Sequence, residues 1–203
     1  MNIFALSECP VESAQQMVDK HVVKMPTETC QMLHTNILYF IFKGVYGVEP
    51  SLGDLKSFHT QTESDLMKPA MLNHPSTIWA RQSLLNANWL LRHGLALCEE
   101  YTHRYGKVHG SQLRIQDAID WYLHCDDGIF PTMDLTPPTI AMFDQYRLPP
   151  EDHTWDFVIK SYRHYYLEGK WRFAVWTGRD RPSWYPKRWT IEQYKKEMRN
   201  NND

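Results

Sequence analysis

No apolar stretch in this 203-residue chain reaches the roughly 18 residues that a membrane span requires. Residues 1–10 have neither a basic start nor a long apolar centre, so no secretory signal is expected and the protein reads as cytoplasmic. The four cysteines, Cys9, Cys30, Cys98 and Cys125, form no C-x-x-C pair and fit no zinc spacing. Reduced thiols acting as buried filler are their expected state. There is no Gly-rich phosphate loop, no internal repeat and almost no strand signal. Solenoids, collagen-like chains and parallel-sheet nucleotide folds are thereby set aside. The 42% hydrophobic and 23% charged composition is that of an ordinary globular domain rather than a disordered chain.

What is present is helical punctuation. A short extended lead-in over 2–6 precedes Pro10, which suits the first turn of a helix over 11–24. Pro26 is expected to kink that helix or to open a second one over 27–42. A loop over 48–57 and a short helix over 58–68 follow. Ser76 is a candidate N-cap for one long helix over 77–105, ended near Gly106. Further helices are expected over 112–124, 154–175 and 190–199, with a proline-punctuated loop over 126–150 whose length suggests function. The expected fold is all-α: a single-domain helical bundle over 1–203 with a long central helix and an irregular aromatic and basic C-terminal region.

Charge is unevenly spread. The net charge of −2 conceals a balance of +7 over residues 160–199 against −9 elsewhere, and ten of the 27 aromatic residues lie in that same basic segment. Rings alternating with Lys and Arg, as in Tyr162 to Trp176 and Arg179 to Trp189, are what single-stranded nucleic acid or a nucleotide would stack on. Core rings on one face and solvated cations on the other are the plainer alternative for 162–176.

Two polar stripes follow helical steps of three and four. His21, Lys24, Glu28 and Gln31 form the first. Trp79, Gln82, Asn86, Trp89, His93, Glu100 and His103 form the second, where indoles among amide and imidazole groups read as a pocket wall. On the first stripe His21 and Glu28 are a candidate acid/base pair, with Lys24 between them lowering the His pKa and offering a cation. A lysine beside a carboxylate also suits Schiff-base chemistry. Glu100-Tyr101-Thr102-His103 is one E-x-x-H pattern; with Glu28 and His74 it would make a four-residue metal set, of the kind that binds iron in helical bundles.

The chain resembles an uncharacterised family of small helical proteins from tailed bacteriophages and bacteria. The likeness is carried by Asp19-Lys20-His21-Val22-Val23-Lys24-Met25 with Glu28 and Gln31, by Asn73-His74-Pro75 with Trp79, Arg81, Asn86 and Trp89, and by Glu100-Tyr101 with Arg104-Tyr105-Gly106-Lys107 and His109. Pro137-Pro138, Met142, Tyr146 and the stretch from Tyr162 to Trp184 complete it, and Pro26 stands where an aliphatic residue is expected. The resemblance implies a phage setting inside a bacterial host, where nucleotide supply and DNA modification are common tasks, and no particular reaction.

The leading expectation is therefore a cofactor-free enzyme acting on a nucleotide or a DNA base by hydrolytic or glycosidic chemistry. His21, Lys24 and Glu28 would be catalytic. Gln31, His74, Trp79, Arg81, Asn86, Trp89 and Arg104 would bind the substrate, an anionic small molecule or single-stranded DNA. The rivals are an iron-dependent oxidative enzyme built on Glu28, His74, Glu100 and His103, and a non-catalytic single-strand-binding protein built on 160–199.

Overall fold

A computed structural model describes residues 2–186. The chain is all-α, with seven helices and no strand among the described residues. They are α1 (Pro10–Gln15), α2 (Asp19–Tyr46), α3 (Leu52–Gln61), α4 (Pro75–Gln82), α5 (Leu84–Tyr105), α6 (Gln112–His124) and α7 (Trp155–Tyr165). Among the described residues no helix is long and apolar enough to cross a membrane. The expected helix over 190–199, with Lys187, Arg188 and Trp189 before it, lies outside the described residues.

The long central helix is α5, which touches α1, α2, α4 and α6 and buries Leu90, Leu91, Leu97 and Cys98 among them. It packs closely on α2 at Gly94, where a Cβ would come within 2.6 Å of the Thr29 methyl, so only glycine lets the two helices sit this close.

Three expected boundaries move, each for a local reason. The helix expected to start near 11 instead breaks at residues 16–18, and α2 then runs unbroken through Pro26. A mid-helix proline removes one N–H and crowds the preceding turn, a cost of about 3 kcal/mol. Here that turn is held from outside: His109 Nε2–H donates to the Val23 carbonyl at 3.1 Å, and Met25 and Pro26 are themselves buried.

The run over 77–105 is two helices rather than one. Ser83 adopts an extended backbone (φ −147°, ψ 142°) and its hydroxyl accepts from Leu85 N–H, which caps α5. The backbone groups freed at this break are taken by the 126–150 loop: Thr132 N–H donates to Gln82 O at 3.1 Å and Leu84 N–H donates to Thr132 O at 3.4 Å, while the Ser83 hydroxyl donates to Asp134 O. Finally, α3 begins at Leu52, inside the expected loop, because Ser51 and Asp54 form a reciprocal capping box.

The stretch expected as one helix over 154–175 changes character at its end. After α7 the chain widens into a π-helical turn (Tyr166–Lys170) and then a 3-10 turn (Trp171–Phe173). Gly169 permits this, since a Cβ there would lie 2.5 Å from the Tyr165 ring. The turn delivers Lys170 to the site described next.

Candidate active site

A cavity of about 460 Å³ opens where the N-terminal segment, one face of α2, the start of α4, the 139–143 loop and the π-turn after α7 converge. Of the residues lining it, Glu28 is the one acid. The helical step of three and four on α2 brings His21, Lys24, Met25 and Glu28 to the same opening.

Glu28 is held from two sides. Its Oε2 accepts from the backbone N–H of Asn2 at 3.0 Å, and its Oε1 pairs with Lys24 Nζ at 2.7 Å. The carboxylate side chain is 14% exposed and the lysine 68%, so the acid sits at depth and its cation faces solvent. Asn2 is itself fixed. Its Oδ1 accepts from Ile3 N–H at 2.8 Å and meets the Tyr162 hydroxyl at 2.7 Å, while its amide donates to Ala141 O. Those bonds hold Phe4 in the left-handed region at φ 52°, a strained conformation for a bulky residue.

The strained Phe4 lies flat against His21, ring centroids 4.2 Å apart. His21 Nδ1 is hydrogen-bonded to the fully buried Tyr166 hydroxyl at 2.6 Å. Burial pushes the His21 pKa down to about 3, with Lys170 and then Lys24 adding to the effect. The expected influence of Lys24 on His21 is thus present, but third in size. A neutral imidazole at physiological pH can donate or accept a hydrogen bond; it is not a store of protons.

Lys170 was not singled out from its aromatic–basic segment. Its ammonium lies over Tyr165 at 4.4 Å and within 5.8 Å of both Phe4 and Phe173, a cation–π cradle. Lys20 stands over the Phe173 ring, 4.6 Å from its centroid, and is not among the residues lining the cavity. Lys24 and Lys170 therefore place two cations in the cavity lining beside one acid, a field suited to an anionic ligand.

His74 also lines the cavity, with His21, Lys24 and Glu28. It is the N-cap of α4, Nδ1 accepting from Ser76 N–H at 3.2 Å, and burial lowers its pKa.

The other candidates are elsewhere. Gln31 is half-buried one turn beyond the cavity. Trp79, Asn86 and Trp89 are core residues whose polar atoms are spent on backbone: Trp79 Nε1 donates to Thr136 O, Asn86 clamps Trp79 O and Thr136, and Trp89 Nε1 donates to Glu8 O. A stripe that looked like pocket wall is a helix face sealed by the N-terminal segment and the 126–150 loop. Arg81 donates to Leu72 O and stacks on Tyr39.

Arg104, expected to hold an anionic substrate, is buried in an ion network. It donates to Glu100 at 2.7 Å, to Asp19 at 2.8 Å and to Gln15 O, and Arg179 completes the pairing of Glu100 with two bonds of 2.6 Å. His103 Nε2–H donates to Gly178 O. Glu100 and His103 thus tie the 174–181 strap to α5, and they do not join Glu28 and His74. The four-residue metal set does not assemble, and no three His, Cys, Asp or Glu residues are grouped for a metal among the described residues. Removing one member of a buried ion network strands the others. Arg104→Ala is expected to lower stability by about 3–5 kcal/mol in urea unfolding, and an unchanged midpoint would restore Arg104 as a candidate ligand residue.

The rings of 162–176 face inward for the most part: Tyr162, Tyr165, Tyr166 and Trp176 are buried, with Trp171 exposed. The segment's contribution is the cation at 170 and a wall, not a bare stacking platform.

Comparison with known proteins gives one family. The family model described as pyrimidine dimer DNA glycosylase matches residues 1–112, more than half of the chain, and that span contains Asn2, Phe4, His21, Lys24, Glu28 and His74. No curated protein and no solved structure matches the chain.

Proposed function

The chain belongs to the pyrimidine dimer DNA glycosylase family and is an enzyme that acts on DNA bases; from that premise we propose that it excises dimerised pyrimidines at the cavity built around Glu28. The observation that carries this reading is one well-held carboxylate sharing a cavity with two lysines, Lys24 and Lys170, with Glu28 and Lys24 in the segment that the family model spans.

Breaking an N-glycosidic bond builds positive charge on the deoxyribose as the base departs with the bonding electrons. Glu28 faces that charge and takes a proton from the nucleophile that attacks C1′. Asn2 N–H and Lys24 orient its two oxygens. Lys24 and Lys170 hold the phosphates on either side of the damaged site. His21, neutral and locked between Phe4 and Tyr166, offers a fixed hydrogen-bonding edge to the sugar or base. A single nucleotide and an undamaged single strand carry the same anionic chemistry, and the lysines favour them less only because a duplex presents more phosphates.

The test is a duplex oligonucleotide carrying one pyrimidine dimer, incubated with the purified protein beside an undamaged control. Alkali-labile cleavage at the dimer alone supports the reading. Equal cleavage of both, or release of base from free nucleotide instead, overturns it. Borohydride present during turnover separates two nucleophiles: a covalent protein–DNA adduct marks an amine such as Lys24, and excision without an adduct marks water.

A further inference from the structure

We propose that Phe143 is a stacking wedge, the side chain that enters the DNA base stack beside the damaged site while Glu28 acts; this rests on the excision reading above. Phe143 lines the mouth of the Glu28 cavity, outside the residues matched by the family model. It is 71% exposed, the most exposed large ring among the described residues, while Tyr46 at 52% and Trp171 at 40% lie away from the cavity. A phenylalanine left in water at the rim of a DNA-base site has surface to bury and one neighbour of the right chemistry, the face of a base.

The backbone that carries Phe143 is held on both sides. Ahead of it, the buried Tyr162 hydroxyl lies 3.1 Å from Thr139 O and accepts from Ala141 N–H at 3.1 Å, and Ala141 O accepts from the Asn2 amide. Behind it, Tyr146 N–H donates to Phe143 O at 3.0 Å, and the Tyr146 ring packs at a tilt against Tyr165, centroids 4.9 Å apart. Asn2 thus fixes two things at once: the acceptor geometry of Glu28 through its N–H, and the loop that bears Phe143 through its side chain. The wedge and the carboxylate share one anchor, which sets the distance between the point where the stack opens and the point where the bond breaks. A ring on a fixed backbone loses little freedom on insertion, which is the requirement for a residue that must compensate an unstacking cost.

The experiment compares two dimer-containing duplexes. In one the dimer faces two adenines; in the other it faces two abasic residues, so the stack is already open. Phe143→Ala is expected to lose about 10- to 100-fold in kcat/KM on the paired duplex, as unstacking costs a few kcal/mol and each 1.4 is tenfold. It should keep near wild-type activity on the opened one, which also shows that the variant is folded. Phe143→Trp should retain activity on both. An equal loss on the two duplexes makes Phe143 a mere cavity wall, and no loss on either removes its role; both overturn the proposal. If the wild-type protein excises from neither duplex, the excision reading fails and the wedge with it.

Discussion

Replacing Glu28 by Gln is expected to lower single-turnover base excision about a thousand-fold, with DNA affinity unchanged or a few-fold tighter. The two effects have opposite signs because one substitution touches two things. Gln keeps the size of the side chain and can still accept from Asn2 N–H, so the N-terminal segment stays in place. It cannot take a proton from a nucleophile or face a developing cation with a full negative charge. Binding responds to phosphate contacts, and removing the one acid from the lining of a cavity that also holds Lys24 and Lys170 makes that opening more positive. The measurement is alkali-labile strand cleavage at the dimer under enzyme excess, set beside a salt titration of DNA affinity. A variant that binds poorly and excises poorly in equal measure would place Glu28 in the framework of the fold. A variant that excises at the normal rate would move the chemistry to another group. The pH–rate profile carries a second consequence: with its pKa near 3, His21 gives no inflection in the neutral range.

The first stripe on α2 was legible because three site residues, His21, Lys24 and Glu28, lie on one helix, where spacing alone fixes a shared face. His74 was legible as a residue of a turn. The second stripe failed on the same logic. Spacing says that Trp79, Asn86 and Trp89 share a side, but not whether that side opens to a ligand or is closed by other chain, and here residues 8 and 136 close it. Glu100 and Arg104 were read apart, one as a metal ligand and one as an anion holder, although their i,i+4 spacing is that of an ion pair. Asn2 and Lys170 reach the cavity from opposite ends of the described chain, and no local pattern reports such a meeting. The all-α class was legible from the absence of strand signals. The breaks at residues 16–18 and at Ser83 were not, since each depends on partners supplied from elsewhere in the fold.

Acidification from pH 7 to pH 5 is expected to remove about 4 kcal/mol of folding stability through two histidines alone. Burial lowers the pKa of His21 from 6.5 to about 3 and that of His93 from 6.5 to about 4. The unfolded chain binds a proton at each near pH 6.5, whereas the folded chain does not until pH 4 or below. Between those values the unfolded state holds more protons, so stability rises with pH and is lost as pH falls, by about 1.4 kcal/mol per pH unit for each ring. His34 and His74, also lowered by burial, act in the same direction. A domain has about 5–15 kcal/mol in all, so acid unfolding should begin well above the carboxylate range. His93 is the cleaner probe, because it lies outside the cavity, 1% exposed against Trp89, with Nδ1–H donating to Pro10 O at 2.9 Å. In His93→Gln the amide can still donate to that carbonyl but binds no proton. Urea midpoints at pH 7 and pH 5 should converge to about half of the wild-type difference in this variant. A wild-type midpoint that does not move between the two pH values, or a variant that moves as far as the wild type, would show that these rings take up protons without unfolding the chain.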